Sequence, residues 1–138
     1  ANQIPFSIPF SNIISSGMEA NMNTDGAIDR GGDVLNYCRL HQITMQAWSP
    51  FQSGRGAFVD NNEGYPDLNW ALGEISAKYN VTKSTVAAAW ILRHPARMQT
   101  IVGTMNYYRI LEISRAADIE LTRDEWYRLY LSSGHILP

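Results

Sequence analysis

Thr100-Ile101-Val102-Gly103-Thr104-Met105-Asn106, followed by Arg109 and Glu112, is the stretch whose residue types could most directly do chemistry. A short β-branched run stops at a small turn rich in hydrogen-bond donors, and its pattern predicts a helix opening at Asn106. Backbone N–H groups and a hydroxyl then face outward at a helix N-terminus, where aligned peptide dipoles favour an anion. Arg109 falls on the first turn of that helix and sets a guanidinium beside the same spot. The chemistry this suggests is phosphate recognition, and so nucleotide binding. An ordinary strand-to-helix turn carries the same residues without a ligand, so other strand ends have to decide between the two.

Two more candidates exist. Gln3 lies near the end of an extended run at residues 2–6, and a carboxamide offers a paired donor and acceptor. Trp48-Ser49-Pro50-Phe51 ends a second run at residues 43–48, where Pro50 disfavours helix at Ser49 and cannot donate to a ladder. Trp48 could present a flat face to a ring, and Ser49 with the following loop could hold phosphates. In parallel α/β folds ligands collect at the C-terminal ends of strands. An amide clamp, an aromatic platform and a phosphate cradle together describe a nicotinamide dinucleotide site. Taken singly, each residue also has a plain structural use: Gln3 at the surface, Trp48 in the core, Arg109 solvated.

The elements that must position these residues alternate. A strand at 2–6 precedes a polar stretch, 11–32, read as loop with at most a helical turn. Asp33 can cap a helix to about Gln42, with Val34, Leu35 and Cys38 on one face. After the second strand comes a long loop, 51–66, a length more often functional than idle. Asp67 caps a helix carrying Leu68, Leu72, Ile75 and Tyr79. Thr82 caps another, carrying Val86, Ala87, Trp90 and Ile91 and stopping before Pro95. A third strand at 99–102 leads to the helix from Asn106, which should bury Ile110 and Ile113. Thr122 and Glu125 form a capping box that opens a last helix with Trp126, Leu129 and Tyr130 inward. Strands alternating with helices imply an α/β fold with a parallel sheet. Three strands make a poor sheet alone, because a parallel sheet wants both faces covered and its edges protected. With an opening residue already at the lip of a strand, the chain reads as a piece of something longer.

Composition narrows the classes. The chain has 138 residues, enough for one domain with a core, and is 45% hydrophobic and 17% charged, which describes an ordered globular protein. A net charge of -2 with scattered basic residues gives no case for nucleic acid. No apolar run approaches membrane-spanning length, so no membrane partner is expected. The single cysteine, Cys38, precludes an internal disulfide and fits a reducing, cytoplasmic setting. Asn80-Val81-Thr82 matches a glycosylation sequon but reads better as a helix start. No metal-ligand cluster stands out. His41 and His94, placed in helices away from the strand ends, and His135 in the tail read as solvated or structural.

Ala1-Asn2-Gln3-Ile4, Ala47-Trp48-Ser49-Pro50-Phe51, the run 86–92, and Ile101-Val102-Gly103-Thr104-Met105-Asn106 with Arg109, Ile110 and Glu112 together resemble the C-terminal part of the aldo-keto reductases. The ending, from Leu121 through Trp126 to Pro138, resembles a bacterial branch of that family, so the likeness runs in order over essentially the whole chain. It implies that residues 1–138 form a partial (β/α)8 barrel of the TIM type, supplying strands six to eight of a carbonyl reductase that uses NADPH. By the same resemblance, Gln3 would hold the nicotinamide carboxamide, and Trp48, usually Tyr in the family, would stack on the nicotinamide ring. Ser49, Pro50, Phe51 and Ser53 would cover the pyrophosphate. Gly103, Thr104, Met105, Asn106 and Arg109 would hold the adenosine phosphate, and Glu112 would meet the adenine. Many members have Lys where this chain has Gly103, which removes one charge for a 2′-phosphate; Arg109 keeps NADPH ahead of NADH. The family's catalytic Asp, Tyr, Lys and His belong to the first half of the barrel, so no catalytic residue is assigned to this chain. A small carbonyl substrate is expected only when the rest of the barrel is supplied. A truncated, non-catalytic module that binds nucleotide, or self-associates through exposed sheet edges, is the alternative. An unrelated flavodoxin-like domain would instead need a phosphate loop near the N-terminus.

Overall fold

Ile4, Met45 and Ala47 alternate in sequence with Gln3, Gln46 and Trp48, and this period of two divides one sheet into a buried and an open face. The computed structural model describes residues 1–18, 32–53, 56–60 and 63–137. Strands β1 (Asn2–Pro5), β2 (Met45–Trp48) and β5 (Gln99–Thr100) form a parallel sheet in the order β1-β2-β5. Gln3 stands opposite Gln46, Pro5 opposite Trp48, and Gln46 opposite Gln99. Parallel pairing puts all three C-terminal ends on one side of the sheet, as the alternation of elements predicts. The outer strands end sooner than expected. The left-handed Ser49 (φ 53°) turns the chain away after β2, so the ladder with β5 closes at the Ile101 N–H, which donates to the Ala47 carbonyl at 2.9 Å.

The connections depart from the sequence reading in several places. A helix α1 (Asn12–Met18) occupies the start of the stretch read as loop, and residues 19–31 lie outside the described part. Helix α2 (Gly32–Leu40) already starts at Gly32, so Asp33 lies inside it and not ahead of it. Cys38 is buried, whereas Val34 is exposed. Inside the long loop, β3 (Gln52–Ser53) pairs antiparallel with β4 (Gly56–Ala57). Helix α3 (Pro66–Tyr79) begins one residue before Asp67, because Pro66, with its fixed φ and no N–H to waste, suits the first helical position. Asn80 ends α3 in the left-handed region, and the Val81 N–H reaches back to the Ser76 carbonyl at 3.0 Å. Thr82 then caps α4 (Lys83–Leu92) by accepting from the Thr85 N–H, so the sequon lies on a helix-to-helix junction.

Asn106 caps α5 (Tyr107–Ser114), a 3₁₀ turn follows at Arg115–Asp118, and α6 (Arg123–Ser132) closes the chain with the expected capping box. Ile113 is buried on α5, but Ile110 is not. Helix α4 is buried from Thr85 through Ile91, nearly all round, with α3, α5 and the 3₁₀ turn packed against it. The join between α4 and α6 is specific. The indoles of Trp90 and Trp126 stack at 4.7 Å, and each Nε1–H donates to the other residue's backbone carbonyl at 3.0 Å. Both buried indole donors are thereby satisfied. The stack continues to Phe6 on one side and through Tyr130 to His135 on the other.

Candidate functional site

The exits of β1 and β2 are tied together before either reaches its next element. The Phe6 N–H donates to the Trp48 carbonyl at 3.4 Å, and the Ser7 hydroxyl donates to the Gln52 carbonyl at 2.9 Å. Ser49 makes this possible. Its positive φ reverses the chain, and its carbonyl accepts from the Gln52 N–H at 3.1 Å. The result is a hollow of about 230 Å³ lined by Pro5, Phe6, Phe10, Trp48, Ser49 and Gln52, with Ser7 beside them. Trp48 is 44% exposed although large and apolar, so its ring is available to a ligand. Pro50 is buried beneath the turn, Phe51 packs against the core, and Ser53 lies on β3.

Gln3 stands inside β1, not at its tip. Its Nε2–H donates to Gln46 Oε1 at 3.3 Å on the open face of the sheet, and Trp48 occupies the next row of that face. Phe6, Ser7 and Phe10 carry no site signal in the sequence, and Gln52 enters only as part of the loop from Ser49 to Ser53. Each becomes part of the hollow only through the bonds between the two exits, for which no local pattern exists.

One strand further across, the turn after β5 holds the other expected residues. The Asn106 N–H donates to Thr104 Oγ1 at 3.2 Å, and Asn106 Oδ1 accepts from the Arg109 N–H at 3.2 Å. The cap therefore satisfies the Arg109 amide and leaves the first helical N–H groups, of Tyr107 and Tyr108, without intrahelical acceptors. Gly103 has open space where a side chain would be, so the backbone there can be approached closely. Met105 is 96% exposed. Arg109 and Glu112 lie three apart on α5 and share a side of it. Neither side chain has a hydrogen-bond or ion-pair partner among the described residues. The Glu112 carbonyl accepts from Thr85 Oγ1 at 3.0 Å and pins α5 to α4.

The histidines are elsewhere or engaged. His41 follows α2 and His94 follows α4, just past the helices expected to contain them and at the N-terminal side of the sheet. Burial, with Arg39 adding its charge, pushes His94 down to about 4, and its Nδ1 accepts from the Ala96 N–H. His135 reaches the strand-exit side, where its Nε2 lies 2.7 Å from Ser11 Oγ and 3.2 Å from the Ile8 carbonyl. Among the described residues there is no cluster able to hold a metal ion, and no helix is long and apolar enough to cross a membrane.

The sequence over residues 22–130 matches the model of the aldo/keto reductase family. Among characterised relatives, 6-dehydroglucose reductase of Agrobacterium fabrum is 33% identical over 96 residues, 70% of this chain and 31% of the relative. The 9,11-endoperoxide prostaglandin H2 reductase of Trypanosoma cruzi is 34% identical over 92 residues, 67% of this chain and 29% of the relative. Oxidoreductase YdhF of Escherichia coli is 24% identical and spans 99% of this chain but 43% of its own length. The chain thus spans about a third of the length of the relatives it matches. In three dimensions it resembles the aldo-keto reductase AKR2E5 of the silkworm, Bombyx mori, with a TM-score of 0.65 at 20% identity, covering 96% of this chain and 34% of that one. An NADPH complex of a Gox0644 mutant gives a TM-score of 0.62 at 19% identity, covering 95% and 37%. Those likenesses establish the α/β fold, with its parallel strands and covering helices, as one found in that group. With the family match extending over most of its length, the chain belongs to the aldo/keto reductase family.

Proposed function

We propose that this chain is the C-terminal, cofactor-binding part of an NADPH-dependent carbonyl reductase. The observation that carries the reading is the common placement of three strand exits, with an exposed indole at the middle one and, beyond the last, a guanidinium that has no partner among the described residues. The residues present suit a nicotinamide dinucleotide. Trp48 offers a ring face and Gln3 a carboxamide. The free N–H groups at the start of α5, the open backbone at Gly103 and the Arg109 guanidinium suit a phosphate. Among solved structures of similar fold, the aldo-keto reductase AKR2E5 and the Gox0644 mutant are complexed with NADPH, and the relatives above are named as reductases or an oxidoreductase.

When bound, NADPH supplies a hydride to a carbonyl carbon. The part of this chain in that reaction is to bind and orient: Trp48 and Gln3 at the nicotinamide, Ser49 with the loop to Ser53 over the pyrophosphate, and Arg109 at the 2′-phosphate. Glu112 would sit toward the adenine. Reduction also needs a proton at the carbonyl oxygen. His94 and His41 stand at the wrong side of the sheet to give it, and His135 is bonded to Ser11 and Ile8. We therefore assign the proton donor, and the small carbonyl substrate's pocket, to the rest of the barrel.

The test is a titration of the chain with NADPH and NADH, followed by quenching of tryptophan fluorescence. NADPH should bind more tightly, and Arg109→Ala should weaken NADPH about tenfold while hardly changing NADH, as expected for one lost charged hydrogen bond to a phosphate. Equal affinities for both cofactors, unchanged by the substitution, would remove Arg109 from the phosphate site.

A further inference from the structure

Three glutamines stand in one row across the open face of the sheet. Gln3, Gln46 and Gln99 occupy matched positions on β1, β2 and β5. Their amides form a directed chain: Gln3 Nε2 donates to Gln46 Oε1 at 3.3 Å, and Gln46 Nε2 donates to Gln99 Oε1 at 3.0 Å. Strand spacing near 4.8 Å lets such side chains meet with no backbone adjustment. Each amide also polarises the next, so the row holds a direction better than separate pairs would.

The direction matters at the β1 end. An isolated glutamine amide is free to turn over, because its terminal torsion has broad, roughly two-fold minima. Here Gln46 takes one N–H of Gln3 and so fixes which side of the Gln3 amide is nitrogen. The second N–H and the Oε1 of Gln3 keep no partner among the described residues. One donor and one acceptor left side by side are the complement of another carboxamide. Trp48 stands in the next row of the same face, so a ring bearing a carboxamide could stack and be clamped there together.

We infer that Gln46 and Gln99 are positioning residues: the Gln3–Gln46–Gln99 amide row sets the orientation of Gln3 toward a ligand carboxamide. This rests on the proposed binding of NADPH, and it adds two residues that contact no ligand.

The test compares NADPH with 2′-phospho-ADP-ribose, which keeps the phosphates and adenosine but has no nicotinamide. Isothermal titration of the chain should show Gln46→Met raising the Kd for NADPH threefold to tenfold, the effect of about one hydrogen bond, with no change for 2′-phospho-ADP-ribose. Gln46→Glu still accepts from Gln3 and should restore NADPH binding to near the original value. Gln99→Met, at the far end of the row, should give a smaller loss in the same direction and keeps the test available if Gln46→Met fails to fold by circular dichroism. Substitutions that weaken both ligands equally, or neither, overturn the positioning role while leaving the cofactor reading intact. An unsubstituted chain that binds neither ligand removes the cofactor reading, and the role of the row falls with it.

Discussion

Thr100 carries a hydroxyl that is shut away from solvent and has no hydrogen-bond partner among the described residues. A buried hydroxyl left unpaired costs on the order of 1–3 kcal/mol. Thr100→Val should therefore raise stability by about 1 kcal/mol in urea unfolding, and a loss of stability would show that the hydroxyl has a partner after all. Two titrating groups predict an acid limb in two stages. His94, held down to about 4 by burial and then by Arg39, stays neutral in the folded chain while the unfolded chain takes up a proton near 6.5. Stability is then lost as pH falls from about 6.5 toward 4. For Glu125, burial pushes the carboxyl up, but hydrogen bonds from Lys78, the Thr122 N–H and Tyr79 outweigh it and hold it at about 2. Its contribution is full above its ordinary 4.5 and is lost between there and 2. His94→Gln should flatten the upper stage and Glu125→Gln the lower one, read as unfolding midpoints across pH. Sequence identified Glu125 through its spacing from Thr122, a local signal. The partners Lys78 and Tyr79 lie more than 40 positions away, and nothing local announces them.

Helix α6 depends on its first turn. The Glu125 N–H donates to Thr122 Oγ1 at 3.2 Å, and the Thr122 N–H donates to Glu125 Oε2 at 2.8 Å. Thr122→Ala should cost about 1 kcal/mol in equilibrium unfolding. Combined with Glu125→Ala it should cost less than the sum of the two, because both changes dismantle one reciprocal motif. Strict additivity would mean the two bonds act separately. Elements of this kind are legible because their signal is contained in four residues, as at Thr82 and Asn106 too. Boundaries set by a partner are not. The end of β5 follows from the turn at Ser49, about 50 positions away, and α3 starts at Pro66, one residue ahead of the cap signal that Asp67 gives. Helical spacing alone places Ile110 in the core. Spacing tells which residues share a face of α5, but what covers that face lies elsewhere, and here only Ile113 meets α4 and its neighbours closely enough to be buried.

At the scale of the molecule the helices and core lie on one side of the parallel sheet, and the other side keeps Gln3, Pro5, Trp48 and Gln99 exposed. β1 and β5 each pair on one edge only within this sheet, and α5 presents Tyr107, Tyr108, Ile110 and Leu111 outward, with Met105 just before it. Parallel sheets are normally covered on both faces, and apolar patches of this extent mark surfaces that associate. That the sheet would be parallel was legible from the alternation of strands and helices. How incompletely it is covered was foreshadowed by the strand count, since three strands cannot close on themselves. The 138-residue chain should therefore self-associate, its weight-average sedimentation coefficient rising over a hundredfold range of concentration. Tyr108→Glu with Leu111→Glu places two charges one turn apart on the outward side of α5. A lowered coefficient in that variant assigns the contact to the helix face. An unchanged one, with association persisting, assigns it to the open strands, and NADPH should then oppose it, because the cofactor proposed above would occupy the Gln3 and Trp48 rows of the same face. A monomer at every concentration would mean that the polar glutamine row and the short edges suffice to keep an uncovered parallel sheet apart from its copies.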